Sequence, residues 1–160
     1  MTVDQGFRGQ LARLLDWEEA HVGLDAAIED LPAAQRGIQP AGLPYSCWQL
    51  LEHIRIGQAD ILEFCRDPAY RKRQWPAEYW PKSPSPPDPA AWDASAAAFR
   101  RDREALKALA NDPSVDLMAA VPHGTGQTYL RELLLAADHT AYHVGQLIVV
   151  RRLLGRWNEA

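Results

Sequence analysis

Two histidines one helical turn apart, His139 and His143, are the strongest chemical signal in this sequence of 160 residues. Residues four apart lie on the same face of an α-helix, so this spacing places two imidazoles side by side. Neutral imidazole is the commonest metal ligand among protein side chains. Two ligands hold a metal poorly, and the pair therefore predicts a third ligand from another helix.

His53 is the candidate for that third ligand, because it lies at the edge of the apolar face of a second helical segment. Gly57 follows one turn later and leaves room beside it. Three histidine ligands with an open fourth position are typical of a catalytic metal site rather than a closed structural one. Glu132 and Gln146 extend the line of the histidine pair and are candidates to orient imidazole N–H groups from outside the ligand set.

Further polar candidates lie on the first helical segment and in one loop. Glu18, His21 and Asp25 fall on the inward-facing line of that segment, where polar groups are costly unless they are paired or hydrated. We expect His21 to line the cavity around the metal or to contact the metal itself. The alternative is that His21 pairs with a neighbouring carboxylate. Glu18 or Asp25 would be the general base of a hydrolase. His123 is either an acid or base at the pocket rim or an exposed loop histidine.

Segments with helical periodicity position these residues. They are predicted over residues 4–30, 46–66, 88–110 and 128–154, with proline-containing connectors between them. Ser46 and Gln49 predict a capping box at the start of the second segment. Asp88 followed by Pro89 predicts the N-cap and first residue of the third. The sequence therefore predicts an all-α fold, a four-helix bundle.

Composition limits the class of protein further. The length fits a single domain over residues 1–160. A net charge of −4 argues against nucleic acid as the partner, and we find no apolar run of about 18 residues and no signal peptide. Cys47 and Cys65 would lie about 27 Å apart on one helix, which excludes a disulfide between them. We therefore expect a cytoplasmic protein with no membrane partner.

The fourth segment carries apolar residues on two opposite faces. A helix that is apolar all round is buried all round, whereas three neighbouring helices cover only one side of it. We therefore expect a homodimer formed through this helix, or a cover from the long connector over residues 67–88. That connector is rich in proline and aromatic residues, and its first half is expected to pack onto the body of the protein.

Both histidine-bearing segments resemble one known family. Residues 138–155 read DHTAYHVGQLIVVRRLLG and resemble the last helix of the DinB/YfiT-like metalloenzymes, and residues 45–54 read YSCWQLLEHI and resemble their second helix. The resemblance extends over residues 17–155. It implies a four-helix bundle in up-down-down-up order, often dimeric, with a long crossover loop between the second and third helices. It also implies that His53, His139 and His143 bind the metal.

The resemblance implies a range of activities and metals. Members of the family include S-transferases that use small cellular thiols and an isomerase that uses such a thiol, with zinc, nickel, iron or manganese as the divalent metal ion. We therefore expect a metal-dependent enzyme that transfers a low-molecular-weight thiol to a small electrophile. A metal-dependent hydrolase and a non-enzymatic, stress-associated metal-binding bundle are the alternatives. The expected partner is a small-molecule substrate.

Overall fold

The computed structural model describes residues 2–157 as an all-helical fold without a β-strand in that range. It contains a single 3-10 turn at Ala33–Gln35 and five α-helices, four of them long: α1 Val3–Leu14, α2 Leu24–Ile28, α3 Cys47–Arg66, α4 Ala91–Asn111 and α5 Tyr129–Leu153. The prediction of an all-α helical bundle is confirmed to this extent.

α3 starts where its capping residues predict, and α5 starts within one residue of the predicted boundary at residue 128. The Ser46 side chain accepts the Gln49 backbone N–H and the Gln49 side chain accepts the Ser46 N–H, which together form the predicted capping box of α3. Thr128 caps α5 by accepting the Arg131 N–H. Gly155 follows the end of α5 with φ +66, the left-handed conformation expected of a residue that ends a helix.

The first segment is broken, and the prediction of one helix over residues 4–30 is wrong. α1 ends at Leu14, and α2 begins only at Leu24. Leu15 and Leu24 are both buried, at 5% and 2% exposure. Residues nine apart lie on opposite faces of a continuous helix, so a single helix would expose one of these leucines. Breaking the helix allows both to enter the core.

The third segment begins later than expected. α4 starts at Ala91, with Ala90 rather than Asp88 as its N-cap residue. Asp88 still has a local role, because its Oδ1 accepts the backbone N–H groups of Ala90 and Ala91. The aspartate therefore closes the turn that leads into the helix, and Pro89 lies in that turn rather than in the first helical position.

The core consists of two apolar clusters with a polar layer between them. α3 packs against both α4 and α5, and α1 packs against α4. One cluster includes Ile54 and Val144, and the other includes Ile61 and Ala136. Between these limits α3 carries Gly57 and Gln58, and α5 carries its histidine pair. The interruption of the apolar core therefore falls at one level on both helices.

α5 is the one helix in the described part of the chain that is long and apolar enough, by length and composition alone, to cross a membrane. It is also a core helix, since its buried residues belong to both apolar clusters. Its length and composition are therefore compatible with the central helix of a soluble bundle.

Candidate metal centre

Three imidazoles from two helices converge on one point. His53 comes from α3, and His139 and His143 come from α5. The Nε2 atom of His53 lies 3.1 Å from the Nε2 of His143 and 3.1 Å from the Nε2 of His139. One ligand atom from each side chain lies within 4.8 Å of the other two, and among the described residues this is the group able to hold a metal ion.

Hydrogen bonds on the far side of two rings determine which nitrogen carries the proton. The Nδ1–H of His53 donates to the backbone carbonyl of Tyr79 at 3.0 Å. The Nδ1–H of His143 donates to Oε1 of Gln146 at 2.7 Å. A neutral imidazole has one N–H and one lone pair, so both Nε2 atoms present lone pairs. The position of Gln146 agrees with the orienting role predicted for it.

This arrangement of lone pairs fits a divalent cation. Two Nε2 lone pairs that face each other at 3.1 Å repel unless a positive ion lies between them. Nitrogen ligands at about 2.0–2.1 Å from a tetrahedral metal lie about 3.3–3.4 Å from one another. The two Nε2 separations from His53, to His139 and to His143, are close to that value, and the three-His group can therefore hold a divalent metal.

Burial keeps these rings neutral at physiological pH. It lowers the pKa of His53 from 6.5 to about 4, with a smaller opposing effect from the bond to the Tyr79 carbonyl. Burial, together with the neighbouring histidines, also lowers the pKa of His139 to about 4. The pKa of His143 is lowered by burial as well. Metals bind the neutral form of imidazole, which is the form that this environment favours.

Gly57 provides the space that one ring occupies. A Cβ atom at this position would lie 2.7 Å from Cε1 and 3.2 Å from Nδ1 of His139. Real Cβ atoms essentially never approach another heavy atom to 2.7 Å, so any other residue would displace the imidazole. The sequence analysis predicts that Gly57 leaves room beside His53. In the structure, the ring of His139 occupies that room.

Aromatic residues of the long connector cover the centre, and the sequence did not identify them individually. Trp80 stacks on the His53 ring with centroids 3.9 Å apart and planes 7° apart. Trp75, which is 69% exposed, meets the same ring edge-on at 6.2 Å. The expectation that the first half of this connector packs onto the body is met at Trp80, which joins one of the core clusters.

The polar residues of the first segment do not reach the centre. Glu18 and His21 are exposed, and His21 Nδ1 lies 2.9 Å from the backbone carbonyl of Val22. Asp25 forms ion pairs with Arg100 at 2.5 Å and Arg103 at 2.9 Å. Glu18 and Asp25 line a separate cavity, and His21 lines another, of about 530 Å³, beside Asp138 and Ala141 of α5. Their inward-facing line was predicted from a continuous helix, and it disappears with the break after Leu14.

Two further candidates, Glu132 and His123, line another cavity, of about 460 Å³, between α3, the long connector and the start of α5. Glu132 is buried, at 3% exposure, and pairs with Arg131 at 2.5 Å. No hydrogen bond joins it to an imidazole among the described residues, so it does not orient a ring as Gln146 does. His123 is exposed and packs edge-on against Phe64 at 5.3 Å.

Comparison with known proteins agrees with the geometry. The model of one protein family, described as the DinB superfamily, matches residues 16–147, a range that contains His53, His139 and His143. No curated protein and no solved structure matches the chain. The family match extends over most of the 160 residues, and the chain belongs to the DinB superfamily.

Proposed function

We propose that the chain is a metal-dependent enzyme whose divalent metal is held by His53, His139 and His143. The observation that carries the proposal is that the Nε2 atom of His53 lies 3.1 Å from that of His139 and 3.1 Å from that of His143, with the Nδ1–H groups of His53 and His143 directed away from the centre. Three protein ligands are typical of catalytic centres, in which substrate or water completes the coordination.

The reaction that we propose is the transfer of a low-molecular-weight thiol to a small electrophile. Membership of the DinB superfamily supports this class, because the resemblance of both histidine-bearing segments implies thiol S-transferases. When bound, a divalent metal supplies Lewis-acid chemistry, which lowers the pKa of a thiol and strengthens it as a nucleophile. The protein would contribute the neutral imidazoles and the buried surroundings that keep them neutral.

Metal analysis and activity assays test the proposal in two steps. Purified protein should bind close to one divalent ion per chain, and His53→Ala should abolish that binding. The metal-loaded protein is then assayed with panels of small thiols and electrophilic acceptors, with metal-loaded His21→Ala as a matched histidine control. If wild-type turnover did not exceed that of His53→Ala across the panels, the transferase proposal would be rejected.

A hydrolase is less well supported by the surroundings of the centre. Asp25, one candidate base, is occupied by two arginines, and Glu18 is exposed. The other alternative, a non-enzymatic and stress-associated metal-binding bundle, predicts metal binding without turnover. Removal of the metal by a chelator, followed by a melting curve, separates a structural ion from a catalytic one. A fold that survives chelation would exclude a purely structural role.

The up-down-down-up order of the helices, which the family resemblance implies, is also part of the proposal.

Dimerisation through α5 is proposed as well. Four large apolar side chains of α5 are exposed and fall within about 100° of one another around the helix axis: Leu134, Tyr142, Val149 and Leu153. Such a stripe on a long helix is suited to a second copy of the chain. Analytical ultracentrifugation of wild type and of a Leu134→Glu, Val149→Glu variant tests this, and a monomeric wild type would contradict it.

A cytoplasmic location is proposed on the basis of the cysteines. Cys47 and Cys65 are free and buried, and burial raises the pKa of both thiols to about 12. Both thiols are therefore protonated and inert, which is compatible with a reducing compartment. Fractionation of cells that express the tagged protein tests this location.

A further inference from the structure

The strap, which we define as residues 70–80 of the long connector, provides the atoms that hold His53 from outside. Tyr79 supplies the carbonyl that accepts the His53 Nδ1–H at 3.0 Å, and Trp80 supplies the ring that stacks on His53. A loop without helical or strand structure holds a ring to within a fraction of an ångström only if something fixes the loop itself.

Asp60 of α3 is the main anchor of the strap, although Glu63 of the same helix also pairs with Arg73 at 2.7 Å. Asp60 is 9% exposed. Its Oδ2 accepts the Tyr79 hydroxyl hydrogen at 2.6 Å, its Oδ1 accepts the Tyr70 hydroxyl hydrogen at 3.0 Å, and Arg73 forms an ion pair with Oδ1 at 3.2 Å. All three of these partners belong to the strap. A buried carboxylate is costly unless it is paired, and here the strap supplies the pairing.

Tyr79 is therefore held at both ends. Its hydroxyl donates a hydrogen bond to Asp60, and its carbonyl oxygen accepts a hydrogen bond from the Nδ1–H of His53. Asp60 and His53 lie seven residues apart on α3, two turns along one face. The rigid helix thus sets the distance between the anchor and the ring, and the tyrosine spans that distance.

We propose that Asp60 is a positioning residue for the metal centre: through Tyr79 it fixes the orientation and the Nδ1–H tautomer of His53. The inference rests on the proposed metal site but concerns residues outside the ligand set. Partners that hold the far nitrogen of a ligating histidine influence metal affinity about 10–100-fold. Asp60 acts one step further out, so its loss should weaken Zn²⁺ binding by about tenfold.

The first experiment uses the metal-free protein and a probe of the ring itself. Long-range proton–nitrogen NMR reports which nitrogen of His53 carries the hydrogen. We expect the Nδ1–H tautomer in wild type and a mixture of tautomers in Tyr79→Phe, which loses only the hydroxyl. Asp60→Ala should shift the tautomers as far or further, and Asp60→Asn, which retains one carbonyl acceptor, should restore the wild-type tautomer in part.

The second experiment titrates the same proteins with Zn²⁺ and with Co²⁺, whose visible absorption reports ligand geometry. Tyr79→Phe is expected to bind Zn²⁺ about tenfold more weakly than wild type and to show an altered Co²⁺ spectrum. Glu78→Gln is the matched control, because it removes an ion pair with Arg71 within the same strap without touching Asp60. It should behave like wild type in both measurements.

The outcomes separate this inference from the proposed function. If wild type and Tyr79→Phe have the same His53 tautomer and the same Zn²⁺ affinity, the inference is overturned while the metal site stands. If wild type binds neither Zn²⁺ nor Co²⁺, the proposed function fails, and the tautomer measurement still decides the role of Asp60. If Asp60→Ala does not fold, the decision rests on Tyr79→Phe, which retains the aromatic ring and its packing.

Discussion

The chain carries two groups of polar residues at helical spacing, and the fold treats them in opposite ways. On α5, His139 and His143 lie in an unbroken helix. The Nε2 atom of each lies 3.1 Å from the Nε2 atom of His53 on α3. On the first segment, Glu18 and His21 have the same kind of spacing, yet no helix forms there and both are exposed.

The difference lies in what each group gains from being buried. The histidines of α5 find partners on the far side of the ring, such as the Gln146 side chain, and a space at Gly57 that receives His139. In the described part of the chain, Glu18 and His21 have no such partners across the core. Exposure satisfies them at little cost, and the break also lets Leu15 and Leu24 enter the core. Helical spacing therefore indicates a shared face only where the helix persists.

The largest expected effect is the loss of Zn²⁺ affinity when one of the three metal-binding histidines is replaced. His139→Ala should weaken Zn²⁺ binding by at least about 100-fold, because even the loss of an outer partner costs about 10–100-fold. His21→Ala, the matched substitution in the other region, should leave the affinity unchanged. Competition titration with a chromophoric chelator measures both. Equal losses in the two variants would mean that the first segment contributes to the metal site after all.

Gly57→Ala should separate the stability of the fold from the integrity of the centre. The new Cβ would lie 2.7 Å from His139 Cε1, so the imidazole must move, and we expect about a 10–100-fold loss of Zn²⁺ affinity. Alanine favours a helix over glycine by up to about 1 kcal/mol, so the melting temperature should not fall by much. Gly9→Ala is the control, since a Cβ there meets nothing within 4 Å. Unchanged affinity in Gly57→Ala would show that His139 is not held as described.

The sequence predicted those parts of the site that local signals encode. The predicted capping box of Ser46 and Gln49 sets the register of α3, and register decides which side chains face inward. The three histidines and Gln146 were therefore identifiable as candidates from residue types and spacing, and the resemblance to the family implied the ligand set. The break after Leu14 was not identifiable, because Glu18, His21 and Asp25 continue the helical spacing past it, and only the core shows that Leu15 and Leu24 need opposite faces.

The strap could not be predicted for a different reason. Its contribution to His53 is a backbone carbonyl, that of Tyr79, and every residue has one, so no residue type indicates it. Trp80 was recognisable as an aromatic residue that would pack, but the ring it stacks on depends on the path of an irregular connector. Such a path is determined by long-range contacts like that of Tyr79 with Asp60, which leave no periodic pattern.

Gln146→Ala should produce a smaller loss than Gly57→Ala. It removes the acceptor of the His143 Nδ1–H, which lies 2.7 Å away, but leaves the ring free to stay in place, so we expect about a tenfold loss of Zn²⁺ affinity. Glu132→Gln is the comparison within α5, because Glu132 pairs with Arg131 rather than with an imidazole. Isothermal titration of both variants should show a loss only for Gln146→Ala. A larger loss for Glu132→Gln would reverse their assigned roles.

Acid should destabilise the two regions in different pH ranges. The pKa of His53 is lowered by burial from 6.5 to about 4, so the unfolded chain binds a proton more readily than the folded one. The folded protein therefore keeps its full stability above pH 6.5, where His53 is neutral in both states. It loses stability progressively as the pH falls from 6.5 towards 4, because the unfolded chain takes up the proton first. Urea midpoints of the metal-free protein should decline over that range, and less steeply in His53→Gln.

Asp25 should respond only at lower pH. Burial alone would raise its pKa, but hydrogen bonds and charge from Arg100 and Arg103 outweigh burial and lower the pKa below 3.8. Its stabilising effect is therefore present above that value and is lost as the pH falls below it. Urea midpoints of Asp25→Asn and wild type should run parallel from pH 6.5 to 4 and converge only below. Convergence near pH 5 would contradict the assignment.

The smallest expected effect is that of Asp25→Asn at neutral pH. The substitution weakens two ion pairs that are partly exposed, and such pairs contribute about 0.2–1 kcal/mol. Asp4→Asn, which removes an exposed carboxylate that pairs with the buried Arg8 on α1, provides a comparison at another ion pair. Neither variant should change Zn²⁺ affinity, because neither residue contacts an imidazole. A drop in affinity in Asp25→Asn alone would connect the first segment to the centre and remove the contrast between the two regions.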